Sequence, residues 1–156
     1  MILDKRSEFC DATALSTGGA GTYLLGNQVD LGVARDIGNG QPVYLVITVA
    51  TGIEVASSTG TVQFTLASDA TAAVATDGSA TVHVVSPAFA TSATTDTTTL
   101  KAGTVLFAIP LPLEGNAYEK FLGVLQTTGS TAISAGAIDA SITLDVQAWK
   151  AYDNAI

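Results

Sequence analysis

Apolar and polar side chains take turns along several stretches of this chain, and a period of two restricts those stretches to pleated strands. Between residues 138 and 148, Ile138, Ala140, Ile142, Leu144, Val146 and Ala148 interleave with Asp139, Ser141, Thr143, Asp145 and Gln147, which predicts a strand with one wet face. Val62, Phe64 and Leu66 alternate in the same way with Thr61, Gln63 and Thr65, and Val82 and Val84 with Thr81 and His83. Residues 43–50, 105–111 and 121–126 are apolar at both parities, as strands are in the middle of a sheet or beneath a neighbouring chain. Residues 22–25 and 29–32 supply two shorter strands. Thr, Val and Gly dominate, and no segment keeps a 3.6-residue apolar period over three turns, so helices are not expected.

Turn residues punctuate the pattern at Gly38-Asn39-Gly40-Gln41-Pro42, Thr59-Gly60 and Asp77-Gly78, and loops are expected at 115–118 and 128–136. The count and spacing predict an all-β fold, a single-domain jelly-roll-type β-sandwich of about eight strands, with an Ig-like sandwich as the alternative. The divisions read from the pattern are an N-terminal arm over 1–21, the sandwich over 22–148 and a C-terminal tail over 149–156. Residues 68–77 and 86–99 are simple Ala/Thr/Ser/Asp sequence and read as mobile surface loops or as loops ordered only on meeting another subunit.

Charge narrows the function classes. From Asp36 to Leu100 the chain runs sixty-five residues with no Lys or Arg, and His83 is the single imidazole of the sequence. The net charge of −8 repels polyanions, so no nucleic-acid partner is expected. Mean hydropathy is positive at +0.42. Even so, the longest apolar runs fall well short of the roughly 20 residues of a spanning helix, and no membrane partner is expected. Lys5 and Arg6 lead into Ser7-Glu8-Phe9-Cys10-Asp11 rather than an apolar stretch, so no secretory signal is expected. Cys10 is alone, which rules out an internal disulfide and points to a buried thiol and an intracellular site of folding.

Reactive constellations are scarce. A hydrolase needs a nucleophile, a base and an orienting acid, and alternation places His83 on the wet face of its strand. Asp139 and Asp145 share a face of the last strand but stand about 20 Å apart at about 3.3 Å per residue, too far for paired glycosidase carboxylates. Glu114 and Glu119 flank one loop without a rule that brings them together. Asp69, Asp77 and Asp96 lack the close spacing of calcium ligands, and one His with one Cys makes a poor transition-metal set. The Gly-rich run Thr17-Gly18-Gly19-Ala20-Gly21-Thr22 has no following Lys and reads as a turn rather than a phosphate cradle. The expectation is therefore no catalytic residue, no metal and no cofactor. The ends attract more interest: Ile2, Leu3 and Phe9 precede the patterned strands, and Trp149 and Tyr152 follow them. These five either cap the domain's own core or act as contact residues that fill pockets on a partner.

The order of several phrases carries a resemblance. Met1-Ile2-Leu3-Asp4-Lys5 opens the chain, Val29-Asp30-Leu31-Gly32 precedes Ala34-Arg35-Asp36-Ile37-Gly38, and Leu100-Lys101-Ala102-Gly103 and Leu111-Pro112 follow. Ala135-Gly136-Ala137-Ile138 then leads to Leu144-Asp145-Val146-Gln147. Together they resemble the capsid cement, or head decoration, family of tailed bacteriophages. The resemblance implies a jelly-roll structural protein, made in the host cytoplasm, that adds to the outer surface of the assembled head. There it would bridge major capsid protein subunits, often as a small homo-oligomer such as a dimer or trimer. A carbohydrate- or receptor-binding jelly-roll module of a virion is the competing expectation, and an enzyme a distant third.

Overall fold

The computed structural model describes residues 5–35, 37, 40–56, 59–93, 100–113 and 115–146. A 3-10 turn, Lys5–Ser7, leads into nine strands: β1 (Glu8–Ala14), β2 (Gly21–Asp30), β3 (Tyr44–Val55), β4 (Gly60–Asp69), β5 (Thr81–Val85), β6 (Phe89–Thr91), β7 (Val105–Pro110), β8 (Phe121–Gly129) and β9 (Ile133–Thr143). They form two antiparallel sheets, sheet A in the order β1-β9-β3-β7 and sheet B in the order β2-β8-β4-β5, with β6 also pairing β4. Setting the short β6 aside, the first strand pairs with the last, the second with the next to last, the third with β7 and the fourth with β5. A long hairpin folded on itself and rolled into two sheets gives that order, which is the jelly roll.

The core lies between the sheets and follows the alternation read from the sequence. Leu45, Ile47 and Val49 of β3 face Val62, Phe64 and Leu66 of β4, each with no more than 1% of its surface exposed. Ile138 and Ala140 of β9 and Leu122 and Val124 of β8 complete the same layer. At roughly 25 cal/mol per Å² of apolar surface removed from water, this layer is the main driving force for closure of the two sheets.

Three departures from the sequence reading have identifiable causes. The stretch read as an N-terminal arm contributes β1, which pairs with β9. Its register shifts between Glu8 and Cys10 and again between Cys10 and Thr13, so no clean alternation survives in the sequence. Ala12 takes a left-handed φ of 43°, and its amide donates to the Asp139 carboxylate at 2.6 Å. Asp139, expected to be merely solvated, thus fixes the irregular first strand to the last. The two short strands expected at 22–25 and 29–32 are one strand, β2, with a bulge between Leu25 and Val29. Gly26 makes the bulge possible: φ is +56°, and a Cβ there would collide with the Phe9 carbonyl oxygen. Finally, β9 runs from Ile133 to Thr143 rather than from 138 to 148; Leu144 lies beyond it, 56% exposed.

β7, apolar at both parities, is an edge strand, so of the two expectations for it the mid-sheet position does not hold. Its residues from Val105 to Ile109 are half-buried. The Leu111 amide donates to the Val43 carbonyl, so in this register Leu45–Ile109 and Ile47–Phe107 are the hydrogen-bonded pairs. Pro110 and Ala108 therefore turn their backbone nitrogens to the free side, where proline costs no ladder bond.

One buried polar side chain joins the sheets. Gln126 is fully buried; its Oε1 accepts from the Ser16 amide at 2.8 Å and its Nε2 donates to the Ser16 carbonyl at 3.0 Å and to Thr128 Oγ1 at 2.8 Å. The side chain imitates a strand neighbour for the crossover from β1 to β2. Gln126→Leu keeps the volume and strands both Ser16 groups, at about 1–3 kcal/mol for each group left unsatisfied. The expected outcome is a fall in the thermal midpoint of roughly 4 °C or more by calorimetry, with the far-ultraviolet strand signal retained.

Candidate functional site

His83 is the residue that sequence reasoning placed wrongly. β4 and β5 pair Leu66 with Val84 and Ala67 with Val82, so His83 is the extra residue of a bulge. A bulge re-aims a side chain, and this one turns His83 off the wet face and leaves Val82 48% exposed instead. The imidazole stacks on Tyr118 with ring centroids 4.0 Å apart and meets Ser68 Oγ through Nε2 at 2.7 Å. Ser68 is fully buried and also accepts from the Glu119 amide at 3.1 Å, while the Tyr118 hydroxyl donates to the Pro112 carbonyl at 2.9 Å. With the Ser68 oxygen shared between two protein partners and closed to solvent, the cluster ties β4, β5 and the 112–119 segment together. Burial pulls the His83 imidazole below its ordinary value and pushes the Tyr118 hydroxyl up to about 12.

Asp69 and Asp77 each have a local task. Asp69 accepts from the Thr71 and Ala75 amides, and Asp77 from the Ser79 amide and hydroxyl. Hydrogen bonding, led by the Thr71 amide for Asp69 and by the Ser79 hydroxyl for Asp77, holds both carboxyls below the usual range. These bonds order the 70–80 loop, which the sequence reading had as mobile. Val74 pins it to sheet B: 2% exposed, it packs with Ala67 and Leu125 on the outward side, and its amide donates to Gln28 Oε1 at 2.9 Å. Gly123 provides the room, since a Cβ there would meet Leu24 at 2.9 Å and Val74 at 3.1 Å. Asp96 and Glu114 lie outside the described residues. Among the described residues no three His, Cys, Asp or Glu side chains are grouped to hold a metal ion.

Of the five residues proposed as partner contacts, Phe9 belongs to the core with no exposed surface, which removes it as an anchor for a partner. Ile2, Leu3, Trp149 and Tyr152 lie outside the described residues. Cys10 is buried as expected, and desolvation pushes its thiol to about 11.

What the strands do bring together is a surface. On the outward side of sheet B, register aligns Leu24, Leu125, Thr65 and Val85 in one row, and Thr22, Thr127 and Gln63 in the next. Gly129 with Thr61, and Gly123 with Ala67 and Val82, bound these rows on either side. None of these residues is charged. Charge begins one row further on, where Asp30 and Asp69 flank Phe121 and the Lys120 ammonium lies 4.8 Å from the Phe121 ring centre. The border at β1 is different: Lys5 bridges Glu8 at 2.8 Å and Asp11 at 3.7 Å, and Lys5, Arg6 and Glu8 line a hollow shared with Asp30 and Phe121 of sheet B. No single-strand pattern foretold this contrast, because it depends on which strands become neighbours.

A small jelly roll is the class of protein that this topology defines. The chain belongs to the Bbp16 family, which matches it over residues 9–142, and that family's name points to a bacteriophage protein. A comparison with the curated proteins finds no match.

His83 provides a test of the described cluster. Its folded-state pKa lies below the unfolded value of about 6.5, so the stability that neutral His83 contributes is complete above that pH and is lost as pH falls toward the folded value. Urea midpoints measured between pH 7.5 and 5 should therefore fall more steeply for the parent protein than for His83→Gln, which does not titrate.

Proposed function

We propose that the protein is a structural cement: it binds the outer surface of an assembled phage head, bridges major capsid protein subunits and stabilises the shell, without turnover of a substrate. The observation that carries this reading is the set of uncharged side chains on the outward side of sheet B that stand outside the covering 70–80 loop, Thr61, Gln63, Thr127 and Val85, in a chain of net charge −8. Like charges on a protein surface cost energy when a partner desolvates them, whereas Thr, Val and Gly rows lose little water-mediated stabilisation on contact. The half-buried apolar β7 edge adds to it, since strands apolar at both parities suit coverage by a neighbour. The large exposed apolar side chains among the described residues are aliphatic, namely Val33, Val82, Val85, Leu113 and Leu144. That favours protein contact over sugar recognition, which rests on aromatic stacking surfaces.

The energetics suit a weak contact used many times. A protein that binds the assembled lattice and not its separated subunits stabilises the lattice by RT ln(1 + [L]/Kd) at each site. Contact with two subunits at once, or delivery as a dimer or trimer, adds effective concentration to each single interface. The acidic remainder of the surface keeps free copies soluble and away from packaged DNA.

Purified protein mixed with expanded, undecorated heads should co-sediment to saturation in fixed proportion to capsid subunits and raise the temperature at which the heads disrupt. Because the contact rests on uncharged strand rows, with Asp77 of the adjoining loop the acid beside them, binding should survive 1 M NaCl, where the screening length falls to about 3 Å. Protein that stays in the supernatant at every concentration would defeat the reading.

A further inference from the structure

We propose that the groove between the 75–80 segment and sheet B is a socket for one apolar side chain projected by the shell protein, an inference that rests on the cement reading above. Leu125 and Thr65 line it from the sheet, with Thr22 and Thr127 on one side and Ala80 and Val82 on the other. The cavity measures about 130 Å³. An apolar cavity of roughly 150 Å³ accommodates a benzene molecule, so this volume takes one aliphatic or small aromatic side chain and no larger ligand.

The chemistry of the lining selects the occupant. None of its lining residues is ionisable, and Asp77, the acid beside them in the wall, already accepts from the Ser79 amide and hydroxyl, so a charged side chain entering the groove would lose water for little return. The Thr22 and Thr127 hydroxyls lie 3.2 Å apart, so one donates to the other and that wall's polar capacity is partly used within it. The surroundings agree, because the charge-free rows of sheet B continue away from the groove and Val82 stands half-exposed at its rim. The socket is also built rather than incidental. Asp69 fixes the loop through the Thr71 and Ala75 amides and Val74 pins it over Gly123, so the 75–80 wall is held at a set distance from the sheet. A preformed pocket spares the ordering cost of binding, and buried central anchors dominate interface energetics.

Two substitutions close the socket by different means: Ala80→Phe fills it from the wall, and Thr22→Asp places a carboxylate in it from the edge strand. With thermal midpoints near that of the parent protein, both should weaken binding to expanded heads at least tenfold. Binding at parental strength by either well-folded variant would overturn the socket and leave the cement reading standing. A second measurement does not depend on heads. In benzene-saturated buffer, the methyl resonances of Ala75, Ala80, Val82 and Leu125 should shift while those of Val62 in the core do not, and Ala80→Phe should abolish the shifts. Should the parent protein fail to bind heads, the cement reading falls and this titration decides the socket alone: shifts confined to those methyls uphold it, and their absence overturns it.

Discussion

The pairing of β9 with β1 on one side and β3 on the other is the constraint on which the rest of the molecule depends. It joins the first strand to the last and places Ile138 and Ala140 against the β3 side chains that form the floor of the core. Every other pairing in the rolled hairpin lies inside this closure. The partners are far apart in sequence, with Ala12 and Asp139 separated by 127 residues, so loop-closure entropy must be overcome before these contacts stabilise anything. The irregularities of β1 are the places where side chains rather than ladder bonds hold the closure: Asp139 on the Ala12 amide, and Gln126 on both backbone groups of Ser16.

Much of the fold was legible because one physical effect, burial of alternate side chains, wrote both the sequence pattern and the core. Val62, Phe64 and Leu66 were readable for that reason, and all three are fully buried. Legibility failed where a bulge broke the period. Residues 8–14 carry two register shifts, Gly26 lets β2 continue through what looks like a gap, and the His83 bulge inverts the facing of Val82. A period-two template has no means of registering an inserted residue, since one extra position exchanges the two faces. The short strand β6 was hidden for another reason: Phe89–Thr91 is too brief to show a period at all.

The candidate surface was less legible than the fold. Attention fell on Phe9 because an unassigned aromatic near a terminus looks available, yet its strand carries it into the core. The uncharged rows of sheet B depend on β2, β8, β4 and β5 becoming neighbours, and each contributes only a few Thr, Val or Gly residues that look unremarkable in isolation. The long stretch without Lys or Arg was the available hint, because it contains β3, β4, β5 and β6. It could not say that sheet A would gather the ion pairs and sheet B the bare rows.

Pro110 has a consequence beyond its own strand. It stands where the free side of β7 would otherwise offer an amide, so another extended chain laid along that border finds a missing rung. Sticky flanks can thus touch a neighbour through side chains while the main chain, left with Ala108 to donate beside the gap, is a poorer template for a further strand when many copies crowd together.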